Sequence, residues 1–267
     1  VITAGCDLSA GRMIGFGACI SGMLLQRMDY SGKFFPDMQP LNVFVVALIA
    51  MLVCAAFGTV TGFFIAYLNV PPFIATLAMM EIVYGIGLIV TNATPLGGYV
   101  EQYTNVSNGK FLGINYLIWI AIIVAAITWF IFNMTRHGKY MYAIGGNPQA
   151  AEVAGVPVKA TLILIYMKAA AMYGLAGFML GAKAGGASVQ TGYGYEMEAI
   201  AACTIGGVSV TGGRGKVSSA FIGVAVFELL KVALQYLGMN ANAQYIAIGV
   251  VIFIAISLDI RKYIARK

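Results

Sequence analysis

The sequence predicts an all-α fold: a polytopic bundle of membrane helices. Three observations carry this. Sixty per cent of the 267 residues are hydrophobic and only 10% are charged. Mean hydropathy is +0.86. Apolar runs recur along the chain, each close to the roughly 20 residues a helix needs to cross the hydrocarbon core. A soluble domain carries about 25% charge, and a soluble core of this size has nowhere to bury so much apolar surface. The formal net charge of +6 does not point to nucleic acid. The basic residues fall in short clusters between apolar runs, not along one face.

Taken in order, the runs predict spans at about 10–27, 44–67, 73–91, 117–135, 161–182, 217–237 and 243–258. A further segment, about 196–212, is apolar at Ala199–Ile205 and then Gly-rich. It reads as a short or broken helix that still crosses, giving about eight spans in one transmembrane domain over 1–267. The chain opens Val1-Ile2-Thr3-Ala4-Gly5, without an initiator Met, so an N-terminal helix is expected to be missing from the front.

Charge fixes an expected orientation. With a cytoplasmic C-terminus, the inner side collects Arg12, Arg136, Lys139, Lys159, Arg214, Lys216, Arg261, Lys262, Arg266 and Lys267, against Asp7, Glu152 and Asp259. The outer side collects Arg27, Lys33, Lys110 and Lys183, against Asp29, Asp37, Glu101, Glu196 and Glu198. That asymmetry obeys the positive-inside rule. Outer loops are then expected near 28–43, 92–116 and 183–196, and a cytoplasmic loop at about 136–160.

An internal echo appears. Gly5-Cys6-Asp7-Leu8-Ser9-Ala10-Gly11-Arg12 resembles Gly207-Val208-Ser209-Val210-Thr211-Gly212-Gly213-Arg214, and each leads into a span. Both spans run the same way in this topology, as in a parallel internal repeat. Unwound backbone at membrane depth must line protein or a water-filled cavity. Asp7, Ser9, Ser209 and Thr211 are therefore candidates for a transport pathway.

Charges within the spans number few: Glu81, Lys168, Glu228 and Lys231. Lys168 is near enough to a membrane edge to snorkel, and Glu228 and Lys231 are spaced i, i+3 to pair. Glu81 has no partner nearby in sequence and joins the pathway candidates. No nucleophile–base pair or paired acids occur, and Gly212-Gly213-Arg214-Gly215-Lys216 lacks the spacing of a phosphate-binding loop. Four scattered cysteines and one histidine, His137, give no metal-ligand spacing. An enzyme is not expected, and the energy source is expected outside this chain. Neutral polar residues near the outer loops, Asn92, Thr94, Gln190, Thr191, Tyr193 and Tyr195, suit a hydroxyl-rich solute.

Between two spans lies a polar segment, Gly145-Gly146-Asn147-Pro148-Gln149-Ala150-Ala151-Glu152-Val153-Ala154-Gly155. Asn147 can cap a short helix, Pro148 suits its first turn, and Gly155 can end it. This segment resembles the coupling segment of the ABC-type sugar import permeases that handle ribose, xylose and galactose. Asp7-Leu8-Ser9-Ala10-Gly11 and Glu198-Ala199-Ile200-Ala201-Ala202-Cys203-Thr204-Ile205-Gly206-Gly207 resemble the same family, its galactose-handling members most.

The resemblance implies a homodimer in the bacterial inner membrane, with a cytoplasmic ABC ATPase that uses ATP and Mg. It also implies a periplasmic sugar-binding protein. The chain itself would hold no cofactor. Gly145, Gly146, Asn147, Pro148, Gln149, Ala150, Ala151, Glu152 and Gly155 would form the ATPase-coupling site. The alternatives are a gradient-driven carrier or channel, and an importer of the same class for ribose, a nucleoside or a branched-chain amino acid.

Overall fold

A computed structural model describes residues 1–264. Arg266 and Lys267, which weigh in the charge argument, lie outside the described residues, as do the side chains of Asp259 and Lys262. The helices in chain order are α1 (Ala10–Leu24), α2 (Val43–Tyr67), α3 (Pro72–Thr91), α4 (Glu101–Asn108), α5 (Tyr116–Met134) and α6 (Arg136–Gly146). Then follow α7 (Pro148–Val153), α8 (Val158–Ala184), α9 (Tyr195–Ile205), α10 (Val217–Tyr236) and α11 (Ala241–Ile264). A small antiparallel hairpin, β1 (Lys110–Phe111) with β2 (Ile114–Asn115), stands between α4 and α5.

Among the described residues, five helices are long and apolar enough to cross a membrane: α2, α3, α5, α8 and α10. Their ends follow local chemistry. Asn42 opens α2 by accepting from the Phe44 amide (2.9 Å). Pro71-Pro72 opens α3, and Asn92, at φ 50°, closes it in the left-handed conformation. Five of the expected eight spans meet that measure among the described residues. α1 has 15 residues and α9 has 11, and α11 covers the expected 243–258 run within Ala241–Ile264. The 196–212 segment is helical only to Ile205. Glycines at positive φ (Gly207, Gly212 and Gly213) then turn the chain where no helix continues. The expected outer loop at 92–116 holds α4 and the hairpin.

The chain divides into two compact units. One holds Asp7–Val124 and Lys159–Tyr195; the other holds Val1–Cys6, Ala125–Val158 and the chain from Glu196 on. The first is built around α1, which is buried along nearly its whole length. Met13, Phe16, Cys19 and Met23 of α1 pack with Ala50 and Cys54 of α2, Met79 and Val83 of α3, and Ala170 of α8. Small residues let the backbones meet. A Cβ on Gly58 would strike the Tyr166 carbonyl, and one on Gly62 would come within 2.7 Å of Ile163 Cα. The G-x-x-x-G of α2 is thus a packing seam against α8. The Tyr103 hydroxyl donates to the Phe178 carbonyl (2.7 Å), joining α4 to α8.

The second unit packs Ala201 and Ala202 of α9 with Phe227 of α10 and Ile248 of α11. A Cβ on Gly223 would meet the Ala202 carbonyl and lie 2.6 Å from the Gly206 nitrogen, so α9 and α10 touch backbone to backbone. Outward faces stay apolar: Phe44, Ile89 and Phe253 are exposed. α5 has no buried residue at all. Such surface is stable only against lipid or another protein.

Candidate functional site

The polar segment folds as its residue types dictate. Thr135 caps α6 by accepting from the Gly138 amide (3.2 Å). Asn147, in extended backbone, then serves two helices. Its amide donates to the Ala143 carbonyl (3.0 Å) and closes α6. Its side-chain oxygen accepts from the Ala150 amide (3.0 Å) and opens α7. Pro148 occupies the first position of α7. Gly155, at φ 83°, ends it, and the Val156 amide donates back to the Ala151 carbonyl (3.0 Å). Ala151 alone of α7 is buried. Gln149, Ala150 and Glu152 are exposed, and Val153 is 91% exposed. α7 is thus a six-residue helix held by one buried methyl, with an apolar residue beside an acid on its free face.

Gly145 and Gly146 are not loop residues, as the polar segment suggested; they form the last turn of α6. Here three backbones converge. The Gly213 amide donates to the Ile2 carbonyl (2.8 Å). A Cβ on Gly145 would collide with that carbonyl and lie 2.6 Å from the Gly213 nitrogen. One on Gly212 would lie 2.8 Å from the Gly145 carbonyl oxygen. The Tyr142 hydroxyl donates to the Gly215 carbonyl (2.7 Å). Burial pushes the Tyr142 phenol above its ordinary pKa, so it stays a donor. Residues 1–5, the end of α6 and the Gly-rich segment before α10 therefore form one joint at the base of α7.

The pathway candidates form two local pairs. Asp7 Oδ1 accepts from the Ser9 amide (2.9 Å) and the Ser9 hydroxyl (2.6 Å). The hydroxyls of Ser209 and Thr211 are linked at 2.8 Å, and the Ser209 amide donates to the Arg214 carbonyl (3.0 Å). The same i, i+2 side-chain link occurs in both halves of the sequence echo, but the chain diverges beyond it. α1 starts at once after Ser9, whereas turns intervene before α10. The two pairs lie in different units. Glu81 is exposed on α3 and makes no ion pair among the described residues.

The expected pair of Glu228 and Lys231 forms at 3.4 Å. Sequence spacing missed its third member: Lys231 Nζ also lies 2.9 Å from Glu198 at the start of α9. Lys168 is exposed. Arg12, counted above at the cytoplasmic edge, is corrected. The neighbouring Met13 carbonyl accepts from Cys54 Sγ (3.6 Å), and Cys54 lies at the middle of α2. Arg12 is thus level with the middle of a crossing helix. The 183–196 segment, expected as an outer loop, reaches the same level, since Arg12 Nη1 donates to the Val189 carbonyl (3.1 Å).

A family model described as "Branched-chain amino acid transport system / permease component" matches residues 1–256. The chain belongs to this permease family. Relatives of this chain are named for sugars. The galactose/methyl galactoside import permease protein MglC of Escherichia coli (strain K12) is 40% identical over 274 residues, covering 100% of this chain and 82% of that protein. The same-named protein of Haemophilus influenzae (strain ATCC 51907 / DSM 11121 / KW20 / Rd) is also 40% identical, with the same coverage. The ribose import permease protein RbsC of E. coli (strain K12) is 32% identical over 266 residues, 98% of this chain and 79% of that protein. No solved structure matches. Family and fold agree: this permease is a multi-pass membrane transport protein, with five helices long and apolar enough to cross a membrane among its described residues.

Proposed function

We propose that this permease is the transmembrane subunit of an ATP-driven importer for a monosaccharide of the galactose class. It works as a homodimer in the bacterial inner membrane, C-terminus in the cytoplasm. A cytoplasmic ABC ATPase holds the ATP and Mg, and a periplasmic binding protein delivers the sugar. The observation that carries the coupling role is α7: capped by Asn147, ended by Gly155, exposed save for Ala151, and based on the glycine joint. Galactose is favoured over ribose because the galactose relatives are 40% identical and the ribose relatives 32%.

The test is co-purification of the permease with its ATPase, repeated with Glu152→Arg and Val153→Asp. Both changes lie on the free face of α7 and leave Ala151 and the Asn147 cap in place. The expected result is a stable complex with the unaltered chain, loss of the complex with both variants, and no ATPase activity in the permease alone. Sugar accumulation by the isolated chain under an ion gradient, with no ATPase bound, would overturn the proposal in favour of a gradient-driven carrier.

A further inference from the structure

A charge at the centre of a membrane helix costs about 3 kcal/mol on insertion scales, and such groups face the bundle interior or a water-filled cavity. Arg12 meets the same demand from a helix end. It stands on the first turn of α1, the helix around which its unit is built, and level with the middle of α2. Among the described residues no carboxylate forms an ion pair with it. The ion pairs among the described residues are those of Arg27 with Asp29 and of Lys231 with Glu198 and Glu228.

Neutral groups hold it instead. Nη1 donates to the Val189 carbonyl (3.1 Å) and to Gln190 Oε1 (3.0 Å). The guanidinium carbon lies 4.1 Å from the Tyr84 ring centre and 4.7 Å from that of Tyr193. Gln190 Nε2 in turn donates to the Tyr84 hydroxyl (3.1 Å). The set is open on one side: Gln190 is exposed, and Tyr193 is 67% exposed.

The segment bearing Gln190 and Tyr193 is seated firmly. Ser188 and Thr191 close a turn, with the Thr191 amide donating to the Ser188 carbonyl (2.9 Å) and the Ser188 amide to Thr191 Oγ1 (2.9 Å). A Cβ on Gly15 would strike the Thr191 carbonyl, and one on Gly192, at φ 80°, would lie 2.7 Å from the Gly11 carbonyl oxygen. The turn therefore lies backbone to backbone on α1. Its amide and ring are positioned before any solute arrives.

We propose that Arg12, Tyr84, Gln190 and Tyr193 form a contact station for a neutral monosaccharide on the transport route. This rests on the importer reading above. The chemistry matches a sugar on each count. Hydroxyls accept from the guanidinium and the amide, and donate to the amide and phenol oxygens. The C–H face of a pyranose lies on a tyrosine ring. With no acidic anchor and an open side, the station binds weakly and releases, as a route must.

The test uses the full complex, permease with ATPase and binding protein, in proteoliposomes. Uptake of galactose, methyl galactoside and ribose is measured at saturating binding protein for Gln190→Ala, Tyr193→Leu and Arg12→Lys, together with the amount of assembled complex. The expected result is a change of about tenfold in the ratio of uptake rates among these sugars, the discrimination expected when a hydrogen-bonding or stacking group is lost. A purely structural role would lower all three sugars in parallel with assembly, and unchanged ratios in assembled variants overturn the proposal. Should the variants fail to assemble, a photoreactive galactoside is cross-linked to the unaltered complex during ATP turnover. Label on Gln190 or Tyr193, competed by galactose, supports the station; label only elsewhere overturns it. Competition by leucine but not galactose overturns it as well, identifying a carboxylate site. If the unaltered complex takes up no sugar with ATP, it is the importer reading that fails.

Discussion

At the scale of single residues, neighbouring glycines of one sequence have opposite meanings. Gly145 and Gly146 are adjacent and look alike in the sequence. A Cβ on Gly145 would enter the Ile2 carbonyl, while one on Gly146 would meet nothing within 4 Å. Gly145→Ala is expected to destabilise the protein by about 1–3 kcal/mol, the usual cost of forcing atoms into packed space. Gly146→Ala is expected to be neutral or stabilising by up to about 1 kcal/mol, because alanine loses less entropy in a helical turn. Thermal unfolding of the two variants in detergent checks this; equal melting temperatures would refute the close packing of the joint. The sequence shows that both are glycines but not what stands opposite them, since Ile2 and Gly213 are remote in the chain. Arg12 illustrates the same limit. Its place beside Gly11 and just ahead of an apolar run looks like a membrane edge, and only the Cys54–Met13 contact reveals its depth.

At the scale of elements, apolar run length was a good guide where one helix fills one run. α2, α3, α5 and α10 begin and end within a residue or two of their predicted bounds. The cap, first turn and stop of α7 were legible too, because Asn, Pro and Gly act through their own backbone chemistry. α1 starts where its run starts and stops at Leu24, three residues short of the expected end, and α9 is the short helix expected in 196–212, stopping at Ile205 before the glycines. The guide missed Glu198 as a partner, because α9 and α10 meet through glycines whose facing could not be read. The resulting trio allows a prediction. Lys231 serves two carboxylates and is about a quarter exposed, with side-chain accessibility of 25%. Lys231→Met leaves two acids facing each other without a cation, and is expected to cost about 1–3 kcal/mol, between the values of surface and buried pairs. Glu198→Gln, which leaves Lys231 its bond to Glu228, is expected to cost less. The combination of Lys231→Met with Glu198→Gln should recover part of the loss, as a double-mutant cycle of melting temperatures would report.

At the scale of the whole molecule, apolar composition fixed the class of protein, and the outward faces of α5 and its fellows explain why so much hydrophobic surface is needed. Composition says less about what drives transport. Glu81 is the acid an ion-coupled carrier would use, yet it lies exposed on α3, outside the clusters described above. Under the proposed importer function, Glu81→Gln is therefore expected to leave ATP-dependent uptake within about twofold of the unaltered rate, whereas a gradient-coupled carrier losing its essential acid would stop. Uptake assays with ATP supplied and with the proton gradient collapsed separate these cases.

The double duty of Asn147 has a mechanical meaning. α6 ends and α7 begins on the same residue, so the elbow between them contains no spare chain. A slack tether would absorb a push as harmless bending; this elbow has no slack to spend, and a displacement of α7 must appear in α6 almost undiminished. Two glycines inserted after Asn147 would act as a slipping clutch. Under the proposed importer function, the ATPase would still bind and still consume ATP, but the stroke would be lost in the linker and sugar would stay outside.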